Sequence, residues 1–143
     1  MQQLVVFTLG REEYGLPITQ VQEIIRYAAP RTIPSSSPTV RGVINLRGKI
    51  IPVCDLKLRL GLTDADPDDA KIVIVESGGM TAGIVVDEVD EVITVGEEQL
   101  EPPPSGEVGY IEAVAKVGDR LLVLLDTAAV LAGEGLDADL LAA

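Results

Sequence analysis

The stretch VVFTLG, residues 5–10, is matched 68 positions further along the chain by VIVESG, residues 73–78, and the match continues without a gap. Over 22 ungapped positions six residues are identical, Glu23 and Glu91 among them, and apolar positions mostly face apolar ones. Chance similarity between two β-hairpins is the alternative. An internal repeat is nevertheless the organisation to consider first, because it decides the fold when it is present.

The second halves of the two repeats correspond at an offset of 71, where IPVCD at residues 51–55 faces LVLLD at residues 122–126. Each run ends in aspartate, which caps helices by accepting a hydrogen bond from a backbone N–H. Asp126 is expected to cap a short helix, and Gly133 is placed to end it. Residues 55–61 predict the same arrangement in the first repeat.

The composition favours β structure, since 47% of the residues are hydrophobic but only 3% are aromatic, so Val, Ile, Leu and Ala must form the core. We predict a mainly β protein of two small, mostly antiparallel barrels, roughly over residues 1–68 and 69–143. Neither repeat is large enough to bury a sufficient core alone. The two should therefore pack on each other, and their junction is the natural groove.

The formal net charge of −12 makes nucleic-acid phosphates poor partners. Positive residues are nevertheless concentrated in one segment of nineteen residues that contains a single acid, Asp55. The cations of this basic island are Arg41, Arg47, Lys49, Lys57 and Arg59. Such an island can steer an acidic partner to one face. Ordinary solvated surface is the alternative interpretation.

The longest apolar stretches have five residues, against the roughly 20 that a membrane-spanning helix requires. The N-terminus carries no basic segment of the kind that opens a secretory signal. Cys54 is the only cysteine and cannot form an internal disulfide, which agrees with a reducing compartment. Its alternation with apolar neighbours predicts a buried thiol. A cytoplasmic location is expected.

The sequence contains no histidine, which removes the commonest general base and metal ligand. DADPDD at residues 64–69 resembles the opening of a calcium loop, but Asp69 stands where glycine is required and Val75 where glutamate is. The acidic cluster at residues 87–91 is interpreted as a solvated face. We therefore predict no enzymatic activity, no cofactor and no metal.

RGVINLRGKIIPVCDL, residues 41–56, resembles the signature stretch of the CheW family. The opening of the chain, through VQEI at residues 21–24, and GIVVDEV at residues 83–89 are also typical of that family. The resemblance covers essentially all 143 residues. It implies two SH3-like five-stranded antiparallel barrels with short helices, in which a strand from one half can complete the barrel of the other. The length favours the free coupling protein over versions fused to other domains.

The resemblance further implies a non-catalytic scaffold that couples transmembrane chemoreceptors to a CheA-type histidine kinase in a bacterial chemotaxis array. The implied partners are the cytoplasmic tip of methyl-accepting chemoreceptors and the regulatory domain of the kinase. Receptor contacts are implied at Val21, Glu23, Arg47 and Val92. No kinase-binding residue is assigned.

Alternatives remain open for these residues and for the function. Val21 and Val92 can be plain core residues, and Arg47 can be a turn residue that grips its own barrel. For the whole protein, the alternative is a small-molecule-binding β-barrel that does not associate with a kinase.

Overall fold

The computed structural model describes residues 1–32, 34, 39–62, 66–103 and 110–133, and strands dominate them. The strands are β1 (Gln2–Leu9), β2 (Glu12–Pro17), β3 (Val21–Arg26), β4 (Val40–Leu46), β5 (Lys49–Cys54), β6 (Lys71–Ser77), β7 (Met80–Val86), β8 (Glu88–Val95), β9 (Leu100–Glu101), β10 (Ile111–Val117) and β11 (Arg120–Leu125). Two α-helices are α1 (Leu56–Arg59) and α2 (Thr127–Gly133), and one-turn 3-10 helices lie at Ile18–Gln20 and Glu97–Gln99. The predicted mainly β class is confirmed.

The strands form a six-stranded sheet in the order β8-β1-β2-β11-β10-β9 and a five-stranded sheet in the order β3-β6-β7-β5-β4. Strand β9, at the edge of the six-stranded sheet, has only two residues and pairs with β10. All pairings between these eleven described strands are antiparallel except one in each sheet, β2 with β11 and β5 with β7. The repeat relates these two parallel pairs, since Leu124 faces Gly15 in one and Val53 faces Gly83 in the other.

Each sheet contains strands from both repeats. The opening hairpin of the first repeat, β1 with β2, lies in the sheet that also holds β8 to β11. The opening hairpin of the second repeat, β6 with β7, lies in the sheet that holds β3, β4 and β5. The two repeats therefore exchange their opening hairpins.

The five-stranded sheet curls because the segment after β3 reaches β4 at the opposite edge. Arg31 and Val43 exchange two backbone hydrogen bonds there, at 2.8 and 2.9 Å. The approach depends on Gly42, which has φ 152°, because a Cβ at this position would lie 2.1 Å from the Arg31 carbonyl oxygen. In the six-stranded sheet, the chain passes from β8 at one edge to β9 at the other through Glu97–Gln99.

Within the described ranges the apolar core has three parts. The six-stranded sheet encloses one cluster, with Leu4, Val6, Leu122 and Leu124 among its members. The five-stranded sheet encloses another, with Ile51, Val53, Ile72 and Ile74 among its members. The third, which we call the central cluster, draws on both sheets and both helices and includes Phe7, Leu16, Cys54, Leu56, Val75, Ile84 and Leu131. The sheets thus pack on each other through a shared apolar interface, in which Cys54 is buried as predicted.

Both α-helices begin at an aspartate, as the repeat predicts. Asp55 Oδ1 accepts a hydrogen bond from the Leu58 N–H at 3.0 Å, at the start of α1. Asp126 Oδ1 accepts one from the Ala129 N–H at 3.1 Å, at the start of α2. Each cap satisfies a backbone donor that has no partner within its helix.

Candidate partner-binding surface

Arg47 lies in the two-residue turn between β4 and β5. Arg47 and Gly48 both have positive φ, 52° and 83°, which is the geometry that matches the twist of a tight hairpin. The Asn45 side chain stabilises this turn by accepting a hydrogen bond from the Gly48 N–H at 2.8 Å. Arg47 is the only residue other than glycine with positive φ among the described residues. The turn therefore holds Arg47 in a conformation that costs free energy for a side chain with a Cβ.

The structure brings two of the predicted receptor-binding residues together. Arg47 Nη2 donates to both carboxylate oxygens of Glu23, at 2.5 and 2.6 Å. This hydrogen bond and the negative charge of Glu23 raise the pKa of the Arg47 guanidinium. The Arg47 side chain is 72% exposed and that of Glu23 only 26%. Arg47 therefore does bind a residue of its own sheet, Glu23, but this contact lies at the surface, and most of the Arg47 side chain faces solvent.

Val21 and Val92 lie in different environments. Val21 begins β3, is half-buried and packs against the central cluster. Val92 lies on β8, an edge strand of the six-stranded sheet, opposite Val5, and is 51% exposed. Its equivalent in the repeat is Ile24, which is also exposed, at 41%. The described contacts thus place Val21 against the core and Val92 at the surface.

A second ion cluster corresponds to Glu23–Arg47 in the other repeat. Arg120 lies 2.7 Å from Glu13 and 3.2 Å from Glu91, which is the repeat equivalent of Glu23. Hydrogen bonds to these two carboxylates raise the pKa of Arg120, and the bond from Arg120 lowers the pKa of Glu13. Sequence reasoning did not single out Arg120. The identity of Glu23 and Glu91 in the repeat was the signal that could have found it.

The cations of the basic island lie in different environments: Arg47 and Lys49 are exposed, Arg41 and Arg59 are half-buried, and Lys57 is buried. Arg41 binds Asp55 and Asp66, at 2.9 and 2.6 Å, and its guanidinium lies 5.9 Å from the centre of the Tyr27 ring. Lys57 is 3% exposed and forms ion pairs with two aspartates. Arg59 donates to the Val130 carbonyl at 2.7 Å. All three cations have partners within the fold, so the island does not form one continuous free patch for an acidic partner.

The acidic cluster is a solvated face at Glu88, Asp90 and Glu91, which are exposed, but not at Asp87. The Asp87 side chain is only 16% exposed, pairs with Lys57 and accepts a hydrogen bond from the Gly10 N–H at 2.8 Å. Asp90 accepts a hydrogen bond from the Thr8 hydroxyl at 2.8 Å. These carboxylates connect strands and turns of the fold.

The described residues show no group of three or more Cys, Asp or Glu side chains arranged to hold a metal ion. In the stretch that resembles a calcium loop, Asp66 forms an ion pair with Arg41, while Asp64 lies outside the described residues. A cavity of about 310 Å³ is lined by Arg26, Tyr27 and residues 68–71. None of the four predicted receptor-binding residues lines it. Across the part of the chain that the structure describes, no helix is both long and apolar enough to span a membrane.

Comparison with known proteins agrees with this architecture. Residues 3–134 match the family model of the CheW-like domain. The chain is 37% identical over 138 residues to the chemotaxis protein CheW of Klebsiella aerogenes, covering 93% of this chain and 83% of that protein. It is 38% identical over 136 residues to CheW of Bacillus subtilis, covering 91% and 86%.

A solved structure is similar over most of its length. The scaffolding protein TtCheW from Thermoanaerobacter tengcongensis superimposes with a TM-score of 0.81 at 40% identity, covering 87% of this chain and 88% of that one. Fold and sequence therefore agree on one class of protein. The chain belongs to the CheW family and is a non-catalytic scaffold of chemotaxis signalling.

Proposed function

We propose that this scaffold acts in the cytoplasm, where it couples transmembrane chemoreceptors to a CheA-type histidine kinase. One surface binds the cytoplasmic tip of the receptor, and another binds the regulatory domain of the kinase. Receptor binding involves Val21, Glu23, Arg47 and Val92. The observation that carries the receptor-binding part of this proposal is the Glu23–Arg47 pair, which presents an exposed guanidinium on a rigid turn.

Arg47 is suited to recognise a carboxylate. A guanidinium has five N–H donors, and the hydrogen bonds of Arg47 to described residues go to Glu23, through Nη2. The remaining donors of this largely exposed group are available to a receptor carboxylate at the rim of an interface. The turn fixes the backbone of Arg47 and Glu23 binds its guanidinium, and such restraint before binding reduces the entropy lost on association.

Apolar contacts accompany the ion pair. Val92 is half exposed on an edge strand, and exposed apolar side chains of this kind supply the area that a helical partner buries. Val21 lies two residues before Glu23 on β3 and is half-buried, so it supports the surface from the core side. A receptor helix would then combine an apolar contact with a charged contact to Arg47.

Charge reversal at Arg47 tests this proposal. In Arg47→Glu the new carboxylate repels Glu23 and any receptor carboxylate, so binding of a receptor-tip fragment should weaken by about tenfold or more, which corresponds to about 1.4 kcal/mol. Binding of the kinase regulatory domain should stay close to wild type. Calorimetry with each isolated partner measures both affinities.

Arg120→Glu is the matched control, because it reverses an arginine that holds the equivalent glutamate in the other repeat. It should leave receptor binding largely unchanged. Unchanged receptor binding in Arg47→Glu would remove Arg47 from the site. A wild-type protein that binds neither partner would contradict the proposed function as a whole.

A further inference from the structure

Helix α1 lies where the two sheets meet, and its side chains point to different parts of the molecule. Leu56 is fully buried in the central cluster, and Lys57 is only 3% exposed. Leu58, between Lys57 and Arg59, is 52% exposed. A buried lysine must be paired with negative charge, because desolvation of an isolated ammonium group is costly.

Two partners of Lys57 come from elements that are distant in sequence. Lys57 Nζ forms an ion pair with Asp87 and lies 3.5 Å from Asp66. Asp66 belongs to the segment that joins the two repeats, and it also binds Arg41 at 2.6 Å. We call Lys57, Asp66 and Asp87 the clasp.

Asp87 occupies the point at which the chain leaves the five-stranded sheet and enters the six-stranded one, between β7 and β8. Its backbone N–H donates to the Thr8 carbonyl at 3.0 Å, and its carboxylate accepts from the Gly10 N–H at 2.8 Å. The clasp therefore ties α1, which follows the five-stranded sheet, to the β1–β2 hairpin of the six-stranded sheet.

A second link leaves the same helix. Arg59 Nη1 donates to the Val130 carbonyl of α2 at 2.7 Å, and its guanidinium lies 4.9 Å from the centre of the Tyr110 ring. Two side chains of α1 thus attach it to different elements: Lys57 to Asp87 and Arg59 to α2.

The other crossing between the sheets is built differently. The repeat equivalents of Lys57 and Asp87 are Ala128 and Thr19, which cannot form an ion pair. At that crossing α2 packs on the central cluster through Val130 and Leu131 instead. The barrel architecture therefore does not itself require buried charges, and the clasp needs a separate explanation.

Buried ion pairs contribute little net stability, because desolvation offsets their attraction, but they restrict geometry. We propose that the clasp sets the relative orientation of the two sheets, with Lys57 as a positioning residue. Resting on the proposed function, we further infer that this orientation places the receptor-binding and kinase-binding surfaces for simultaneous occupation.

Distance measurements between the sheets test the first part without any partner. Spin labels at Ile50→Cys and Leu121→Cys are suitable, since both residues are exposed and lie on different sheets, while Cys54 is fully buried. The double variant Lys57→Met with Asp87→Asn removes both charges, so that no buried carboxylate is left unpaired at that contact. Pulsed electron paramagnetic resonance should show a broadened or shifted distance distribution in this variant. Leu58→Gln, on the exposed side of α1, should give the wild-type distribution.

A folded double variant with the wild-type distance distribution would overturn the proposal. If the double variant does not fold, Asp87→Glu decides, because it keeps the charge and lengthens the side chain by one methylene. A shifted mean distance in Asp87→Glu supports the clasp, and an unchanged mean distance contradicts it.

A binding experiment tests the second part. The double variant should bind the receptor-tip fragment and the kinase regulatory domain separately with affinities close to wild type. When one partner is already bound, the affinity of the double variant for the other should be about tenfold lower than that of the wild type. This difference is within the usual range of coupling between two sites. If the double variant and the wild type have equal affinities when both partners are present, this inference is contradicted. Failure of the wild type to bind either partner would overturn the proposed function and leave the distance result standing.

Discussion

The carboxylate of Asp66 accepts a hydrogen bond from Arg41 at 2.6 Å and lies 3.5 Å from the Lys57 ammonium group. Burial favours the neutral acid, but Arg41 and then Lys57 outweigh it, so the pKa of Asp66 lies below its ordinary value of 3.8. The folded protein therefore binds fewer protons at this carboxylate than the unfolded chain does as the pH approaches that value.

This difference predicts an acid-dependent loss of stability. The contribution of Asp66 is complete above pH 3.8 and disappears as the pH falls through the lower pKa of the folded state. In Asp66→Asn the free energy of unfolding should be smaller at neutral pH and should depend less on pH below about 4. Urea denaturation of both proteins at several pH values measures the difference. Parallel pH profiles would show that Asp66 is not the group responsible.

Single residues were predictable where their role follows from the local pattern. Cys54 alternates with apolar neighbours on one strand, and its burial follows from that alternation. The roles of Lys57 and Asp87 were not predictable, because the two lie 30 positions apart and meet only after the sheets have formed. For the same reason Asp87 was taken for a solvated residue.

At the scale of single elements, the two helix caps differ in what else they bind. Asp126 caps α2 with one hydrogen bond, so Asp126→Ala should cost about 1 kcal/mol in the free energy of unfolding. Asp55 caps α1 and also binds Arg41 at 2.9 Å. Asp55→Ala should therefore cost more, about 2–3 kcal/mol, because Arg41 also loses a partner. Chemical denaturation of the two variants measures both costs, and equal values would show that the Arg41 contact adds nothing.

Elements were predictable where turn chemistry and apolar runs coincide. The turn at Gly78 and Gly79 joins β6 to β7 with positive φ at both glycines, as the sequence indicates. β9 was not predictable, since it is two residues long and exists through its pairing with β10. The parallel pairs β2 with β11 and β5 with β7 also depend on how distant segments meet.

At the scale of the molecule, the exchange of hairpins means that neither repeat contains a complete sheet. Fragments covering residues 1–68 and 69–143 should each remain largely unfolded, because both sheets are built from strands of both fragments. An equimolar mixture should regain β structure, which circular dichroism would detect. A chain cut by a protease between Asp68 and Asp69 should likewise stay folded. Cooperative unfolding of the isolated first fragment would contradict this prediction.

The repeat made two related halves predictable, and the family resemblance allowed for exchange between them. Sequence alone does not say which strands cross over, because β1 with β2 and β6 with β7 are similar hairpins that fit either partner. The choice depends on how the chain leaves each hairpin, through Ile18–Gln20 after β2 and through Asp87 after β7. These short connections have no distinctive local signal.

Two separate copies of a single repeat that traded hairpins in this way would form a dimer with a two-fold axis, in which every surface appears twice and must remain identical. Joining the copies through the segment around Pro67 removes that requirement. Glu23 with Arg47 and Glu91 with Arg120 show the result, since equivalent glutamates now hold arginines at different positions of their hairpins. A fused pair can specialise one face for each of two unlike neighbours, which a symmetric dimer cannot do.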